Sequence, residues 1–301
     1  IMMIHPASAF SRAPAPSFVV SSPRRAHRFL FTQATTTLSI TTSATRLYET
    51  IQQPFGQQEY WQDWYHNRTQ PINNNSNNNN NSTAADEDTG DFSWYASWQD
   101  LAPLVEEFGL LDKTRDPILL PGIGLDATLA LDMITDGYQH LYAMDYAPAS
   151  IAYLQERWTA HQQDTTAPTR ATLELCVADV RELPYATASM QAILDKGTLD
   201  AVYLNGATPA IRLDNLRRGV MDLQRCLRPG GLFWSLSGVC VDAWDRDAWF
   251  PDKEWECLCD TRDGVLFMTP DSGYTSNNVD GELLVWRKKK NEMKDKHHEP
   301  Q

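Results

Sequence analysis

The apolar run Ala192-Ile193-Leu194 breaks off into Asp195-Lys196-Gly197-Thr198-Leu199-Asp200, and no other stretch constrains the fold as tightly. A short apolar run that ends abruptly in charge and glycine is a buried strand delivering polar groups to a sheet's carboxyl edge. Open α/β sheets bind their ligands at that edge. Two further points of punctuation flank it, Pro121-Gly122-Ile123-Gly124 upstream and Leu227-Arg228-Pro229-Gly230-Gly231-Leu232 downstream. Together the three describe a nucleotide-cofactor fold.

Helix and strand signals alternate from residue 92 onward. Helices are predicted from Ser97 to Phe108, Leu125 to Thr135, Pro148 to about Trp158 and Arg212 to Leu227. Strands are predicted at Ile118–Leu120, Leu141–Met144, Leu173–Val177, Gln191–Leu194 and Leu232–Leu236. Val265–Met268 and Leu283–Trp286 follow with no helix-length segment between them, so they are expected to pair antiparallel. Alternation that closes in a hairpin argues for one doubly wound α/β domain over about residues 49–290. The tail from Arg287, and residues 291–301 in particular, is expected to be solvated.

The head of the chain differs in kind. Residues 1–48 carry Arg12, Arg24, Arg25, Arg28 and Arg46, no acid, and much Ser, Thr and Ala, the composition of an organellar transit peptide. Ala7-Ser8-Ala9-Phe10 resembles the cleavage signature of bipartite plastid targeting. The expected location is an organelle, mitochondrion or plastid, with the cytoplasm as the alternative. Residues 71–91 are an asparagine-rich insert, Asn73 to Asn81 broken only by Ser76 and followed by Asp86-Glu87-Asp88, with no apolar surface for a core.

Charge narrows the partners. Removing the five head arginines from 26 basic residues leaves 21 against 39 acidic ones, a balance of −18 for the body. Nucleic acid is excluded, because phosphate contacts supply most of such affinity, and a basic protein is favoured. No run reaches the ~20 apolar residues that a membrane span needs. The five cysteines are scattered, and Cys257-Leu258-Cys259 lacks a second ligand pair, so alternate residues on a strand explain it better than a metal site.

Gly122-Ile123-Gly124 follows a strand and opens a helix, a geometry that brings backbone and helix N–H groups close to a ligand. Asp145 ends the next strand and can accept both hydroxyls of a ribose. Ala127 stands where the third glycine of a dinucleotide fingerprint would be, which leaves a poor cradle for pyrophosphate. Asp179 ends the third strand, where its carboxylate can accept the amino group of adenine while Val180 packs on the ring.

Phe92-Ser-Trp94-Tyr95, Ile118-Leu-Leu-Pro-Gly-Ile-Gly124, Ala143-Met-Asp145-Tyr146, Ala178-Asp179-Val180-Arg-Glu-Leu-Pro184 and Asp195-Lys-Gly-Thr-Leu-Asp200 resemble class I S-adenosylmethionine-dependent methyltransferases. The likeness is to the branch with lysine methyltransferases of translation elongation factor one-alpha and of citrate synthase, and it runs from about Tyr60 to Lys288. It implies a seven-stranded Rossmann-like sheet and S-adenosylmethionine as cofactor, with no metal. The residues it implies for holding the cofactor are Trp61, Tyr65, Trp94, Gly122, Asp145, Tyr146, Asp179, Val180 and Lys196. The sequence departs from the pattern at Leu125, Asp126 and Ala147, and the insert separates Trp61 and Tyr65 from Trp94.

The expected reaction is methyl transfer to a protein lysine, with proximity and orientation as the main catalytic effects. Asp195 is the candidate for orienting the amine; a carboxylate that fixes the motif loop or the cofactor's ammonium is the alternative. Small-molecule methylation, aminopropyl transfer and a silent cofactor-binding protein stay open. A nicotinamide oxidoreductase would need the missing third glycine and a hydride-transfer partner.

Overall fold

The computed structural model describes residues 55–69, 91–108, 111–164, 170–263 and 281–290. Its elements in chain order are α1 (Gln58–Thr69), α2 (Trp98–Glu107), β1 (Ile118–Pro121), α3 (Ala127–Thr135), β2 (His140–Asp145), α4 (Pro148–Asp164), β3 (Thr172–Val177), β4 (Met190–Lys196), α5 (Thr198–Leu204), α6 (Pro209–Cys226), β5 (Leu227–Ser237), the single turn α7 (Arg246–Trp249), β6 (Trp255–Asp260) and β7 (Glu282–Lys288). The sheet order is β3-β2-β1-β4-β5-β7-β6. Strands β1 to β5 run parallel, and β7 is antiparallel to both β5 and β6. This is the doubly wound seven-stranded α/β sheet expected from the sequence.

Alternation along the strands feeds two cores. Ile118, Leu120, Ala192 and Leu194 face the side covered by α1 to α4, while Leu119, Ile193 and Phe233 face the side covered by α5 to α7. Local chemistry sets the helix starts. Ser97 and Asp100 form a reciprocal capping box on α2. Asp126 caps α3, and Thr208 caps α6 ahead of Pro209 at the first turn.

The strand predicted at Val265–Met268 lies outside the described residues, and among those residues β7 pairs antiparallel with β5 on one side and with β6 on the other. Cys257 and Cys259 do sit on that strand, but a register shift between them leaves Cys257 exposed and Cys259 buried. Arg287 and Lys288 belong to β7, where Lys288 Nζ donates to the carbonyls of Gln224 and Leu227 (2.8 and 3.0 Å) at the end of α6. Finally, the insert stops short of Asp91. That residue accepts hydrogen bonds from Tyr153 Oη (2.7 Å), Arg157 (2.9 Å) and Thr128 Oγ1 (3.0 Å), which fasten it to α3 and α4.

Candidate active site

A cleft of about 930 Å3, counting the part open to solvent, lies at the carboxyl edge of β1, β2 and β4. Trp61, Tyr65, Trp94, Gly122, Asp145, Tyr146, Asp179, Val180 and Lys196 all line it. Gly124 lines a smaller space behind it. The ten residues predicted to surround a cofactor are therefore gathered in one place, the separated aromatics included. Trp61 and Tyr65, one turn apart on α1, stack at 5.5 Å, and Trp94 meets Trp61 edge-on at 6.2 Å.

The turn after β1 explains its glycines. Gly122 and Gly124 both have positive φ (54° and 59°), which side chains rarely adopt. A Cβ on Gly122 would also stand 2.2 Å from Thr198 Oγ1, which itself donates to Pro121 O at 2.7 Å. The amide of Gly124 donates to Asp145 Oδ2 (3.0 Å) and that of Ala147 to Oδ1 (2.8 Å), and the Tyr146 amide and Ser150 hydroxyl also pull on this carboxylate. Burial pushes the Asp145 carboxyl up to about 6, against the pull of those amides.

Beside it, the Tyr146 hydroxyl oxygen is buried and has no hydrogen-bond partner among the described residues. Burial, then the charge of Asp145, holds this phenol well above its usual range, so it stays a donor. An orphaned hydroxyl beside a buried carboxylate in a cleft wall marks a place where a polar ligand can complete the hydrogen bonding. Asp179 is drawn tight by Arg181, whose guanidinium approaches Oδ2 to 2.6 Å. Burial raises its pKa, but the Arg181 hydrogen bonds outweigh that and leave it below the usual range.

Two residues behave differently from expectation. Asp195 does not reach the cleft. It is fully buried, accepts from the amides of Thr198 (3.1 Å) and Leu199 (3.3 Å) and from Ser235 Oγ (2.6 Å), and thereby starts α5 and ties β4 to β5. Its expected role toward an amine gives way to the alternative of fixing the motif loop. Lys196 lines the cleft, yet its ammonium is spent on Asp126 (2.8 Å), Ser93 Oγ (3.0 Å) and Trp94 O (2.8 Å). It clamps the strap Asp91–Ala96, which carries Trp94, onto the sheet edge. Asp126 serves that clamp and the α3 cap together, and Oδ1 accepts from Leu129 N at 3.1 Å. A carboxylate therefore occupies the helix N-terminus where a pyrophosphate would sit.

Sequence reasoning left three contributors unassigned. Asp200, inside the quoted motif, collects five hydrogen bonds from Tyr95 Oη, Ser237 Oγ and the amides of Gly238, Val239 and Cys240. Tyr95, next to the assigned Trp94, lines the cleft. Gly56 roofs it so closely that a Cβ would lie 2.2 Å from the Asn205 backbone, and no sequence signal marked that approach.

Among the described residues no group of His, Cys, Asp and Glu is placed to hold a metal, and no helix is long and apolar enough to cross a membrane. The family described as "Methyltransferase domain" matches residues 121–235. The chain is 24% identical over 183 residues to "eEF1A lysine and N-terminal methyltransferase" of Bos taurus, covering 61% of this chain and 22% of that protein. It is 27% identical over 156 residues to "EEF1A lysine methyltransferase 4" of Mus musculus, covering 50% and 56%. Among solved structures it resembles a SAM-dependent methyltransferase of Methanosarcina mazei at 12% identity and TM-score 0.43, covering 62% of this chain and 97% of that one. The chain thus spans between about a fifth and about half of these curated relatives. The family match falls on residues 121–235, the stretch that runs from the end of β1 into β5 of the doubly wound sheet described above.

Proposed function

We propose that this chain is an S-adenosylmethionine-dependent methyltransferase that acts on a lysine of a protein substrate. The observation that carries the first half is the pairing of Asp145 with the unpartnered Tyr146 hydroxyl in the cleft wall. Asp145 would hold the ribose hydroxyls, Val180 would pack on the adenine, and Asp179 would accept the adenine amino group. Trp61, Tyr65 and Trp94 offer π-faces to a sulfonium. When bound, the cofactor supplies an activated methyl group. The chain's own work is to bind it, exclude water under the roof formed by α1 and the strap, and aim an acceptor along the line of displacement. The carboxylate at the start of α3 argues against a dinucleotide, because two phosphates would face Asp126.

The second half, a protein lysine, draws support from the names of the relatives and from the acidic balance of the body. The arginine-rich, acid-free head supports placing the enzyme in an organelle. The test is incubation of the purified chain with tritiated S-adenosylmethionine and a total cell extract, followed by separation and acid hydrolysis. The reading expects label in methylated lysine. Label in small molecules alone would overturn the substrate class, and no transferred label would overturn methyl transfer.

A further inference from the structure

We propose that the Tyr95 hydroxyl orients the acceptor amine for methyl transfer and that Asp200 is its positioning residue. The inference rests on the methyltransferase reading and extends it to the opposite end of the cleft. In the sheet order, Asp145 ends β2 and Asp179 follows β3, on one side of β1. Lys196 and Gly197 at the end of β4, and Val239 after β5, lie on the other, with Tyr95 and Asp200 among the same lining residues. If the nucleoside occupies the first side, the acceptor must come in on the second.

Most polar groups on that second side are already committed. The Lys196 ammonium has three partners, Asp195 is sealed in the core, and both oxygens of Asp200 are taken up by the strap and the loop after β5. The Tyr95 oxygen is different. It gives its proton to Asp200 Oδ2 at 2.7 Å and has the Gly238 amide beside it, which leaves one lone pair as an acceptor, enriched by the carboxylate behind it.

The backbone invests heavily in aiming this ring. Tyr95 has φ +64, and the amide of Ala96 donates to Trp94 O at 2.7 Å, which makes a strained left-handed γ-turn around a bulky residue. Strain of this kind persists where surrounding structure over-determines it, and it gathers at functional sites. Glycines build the slot. A Cβ on Gly197 would stand 2.8 Å from the ring, one on Gly238 2.9 Å, and one on Gly281 3.4 Å. A ring wanted only for packing needs neither the turn nor the hydroxyl.

In the step itself the amine nitrogen attacks the methyl carbon, the C–N bond forms, and the C–S bond breaks with its electron pair going to sulfur. The neutral amine becomes a methylammonium, which later loses a proton to water. Tyr95 accepts an N–H hydrogen bond throughout and takes no proton, because burial and then Asp200 hold its phenol far above the usual range. The hydroxyl fixes the direction of the nitrogen lone pair.

Tyr95→Phe keeps the ring in its slot and removes only the oxygen. With tritiated S-adenosylmethionine and a total protein extract, the transfer rate at saturating cofactor should fall about 10- to 100-fold, the scale of a lost orienting contact. Cofactor affinity, read by calorimetry, should change less than about threefold. A rate that recovers fully once cofactor saturates would show that Tyr95 only latches the strap, and would overturn the inference. Asp200→Asn should slow transfer in the wild-type background and add little to Tyr95→Phe. Fully additive losses would overturn the positioning role of Asp200. An inactive wild-type chain would overturn methyl transfer itself, an outcome distinct from a fully active Tyr95→Phe.

Discussion

Asp145 gives the cleft its pH dependence. Its folded pKa, raised to about 6 by burial, means that ligand hydroxyls find an ionised acceptor above that value and a neutral one below it. Affinity for S-adenosylmethionine should therefore be level near pH 7 and weaken as pH falls from 7 to 5, while Asp145→Asn should be flat across the same range; titration calorimetry at stepped pH checks this. In the ligand-free protein the sign is reversed. A raised carboxyl pKa stabilises the fold at acid pH, and that contribution is lost as pH rises through about 6. Asp195, raised to about 7 by burial, behaves likewise but belongs to the framework. Asp195→Ala orphans the amides of Thr198 and Leu199 and should cost about 3 kcal/mol of stability, read as a lower Tm, with cofactor affinity of the remaining folded protein little changed. Reading Asp195 as an amine-orienting group failed because a sequence shows that a carboxylate ends a strand, not which way it turns. The motif's polar residues divide into inward, bridging and hub roles at Asp195, Lys196 and Asp200, and only contacts from distant segments decide among them.

Elements with strong local chemistry were legible. The Ser97–Asp100 box and Pro148 mark helix starts that fall where they were expected, whereas α6 begins at Pro209, ahead of the predicted Arg212, because Thr208 caps it. The sequence marks β6 only through Cys257-Leu258-Cys259 as alternate residues on a strand and assigns the pairing with Leu283–Trp286 to Val265–Met268, because the pairing of β6 is set by contacts from β7 rather than by its own pattern. Helix α1 was visible only as two aromatics spaced i, i+4. Its docking depends on distant partners: Gln58 donates to Tyr146 O, Gln62 Oε1 accepts from Ala149 N at 3.0 Å, and Gly124 leaves room for Tyr65. Because Asp91 and Phe92 are held independently on the far side, the Asn-rich stretch between α1 and the strap should be replaceable. A short Gly-Ser linker in place of residues 71–90, with Asp91 kept, should leave Tm and cofactor affinity nearly unchanged. A fall of many degrees would mean that the stretch packs on the domain.

For the molecule as a whole, the −18 balance of the body predicts different salt responses for its two ligands. Encounter with a basic protein substrate, as proposed, would be steered over distances that salt screens to ~8 Å at physiological strength, whereas a cofactor seated in the cleft would be held by short contacts. Methylation of protein should slow markedly between low and high salt while cofactor affinity holds; equal sensitivity of the two would contradict steering. The parallel half of the sheet and its ligand edge were readable because strand ends there coincide with glycine and acid. The acceptor end was not, because Tyr95 and Asp200 meet across 105 residues of chain. If this edge holds S-adenosylmethionine through Asp145, titrating wild type and Asp145→Asn with S-adenosylmethionine at pH 7.5 should give one site per chain in wild type and a loss of roughly 2–4 kcal/mol, about 30- to 1000-fold, in a variant that remains folded. Equal affinity in the two proteins, or no binding to wild type, would contradict it.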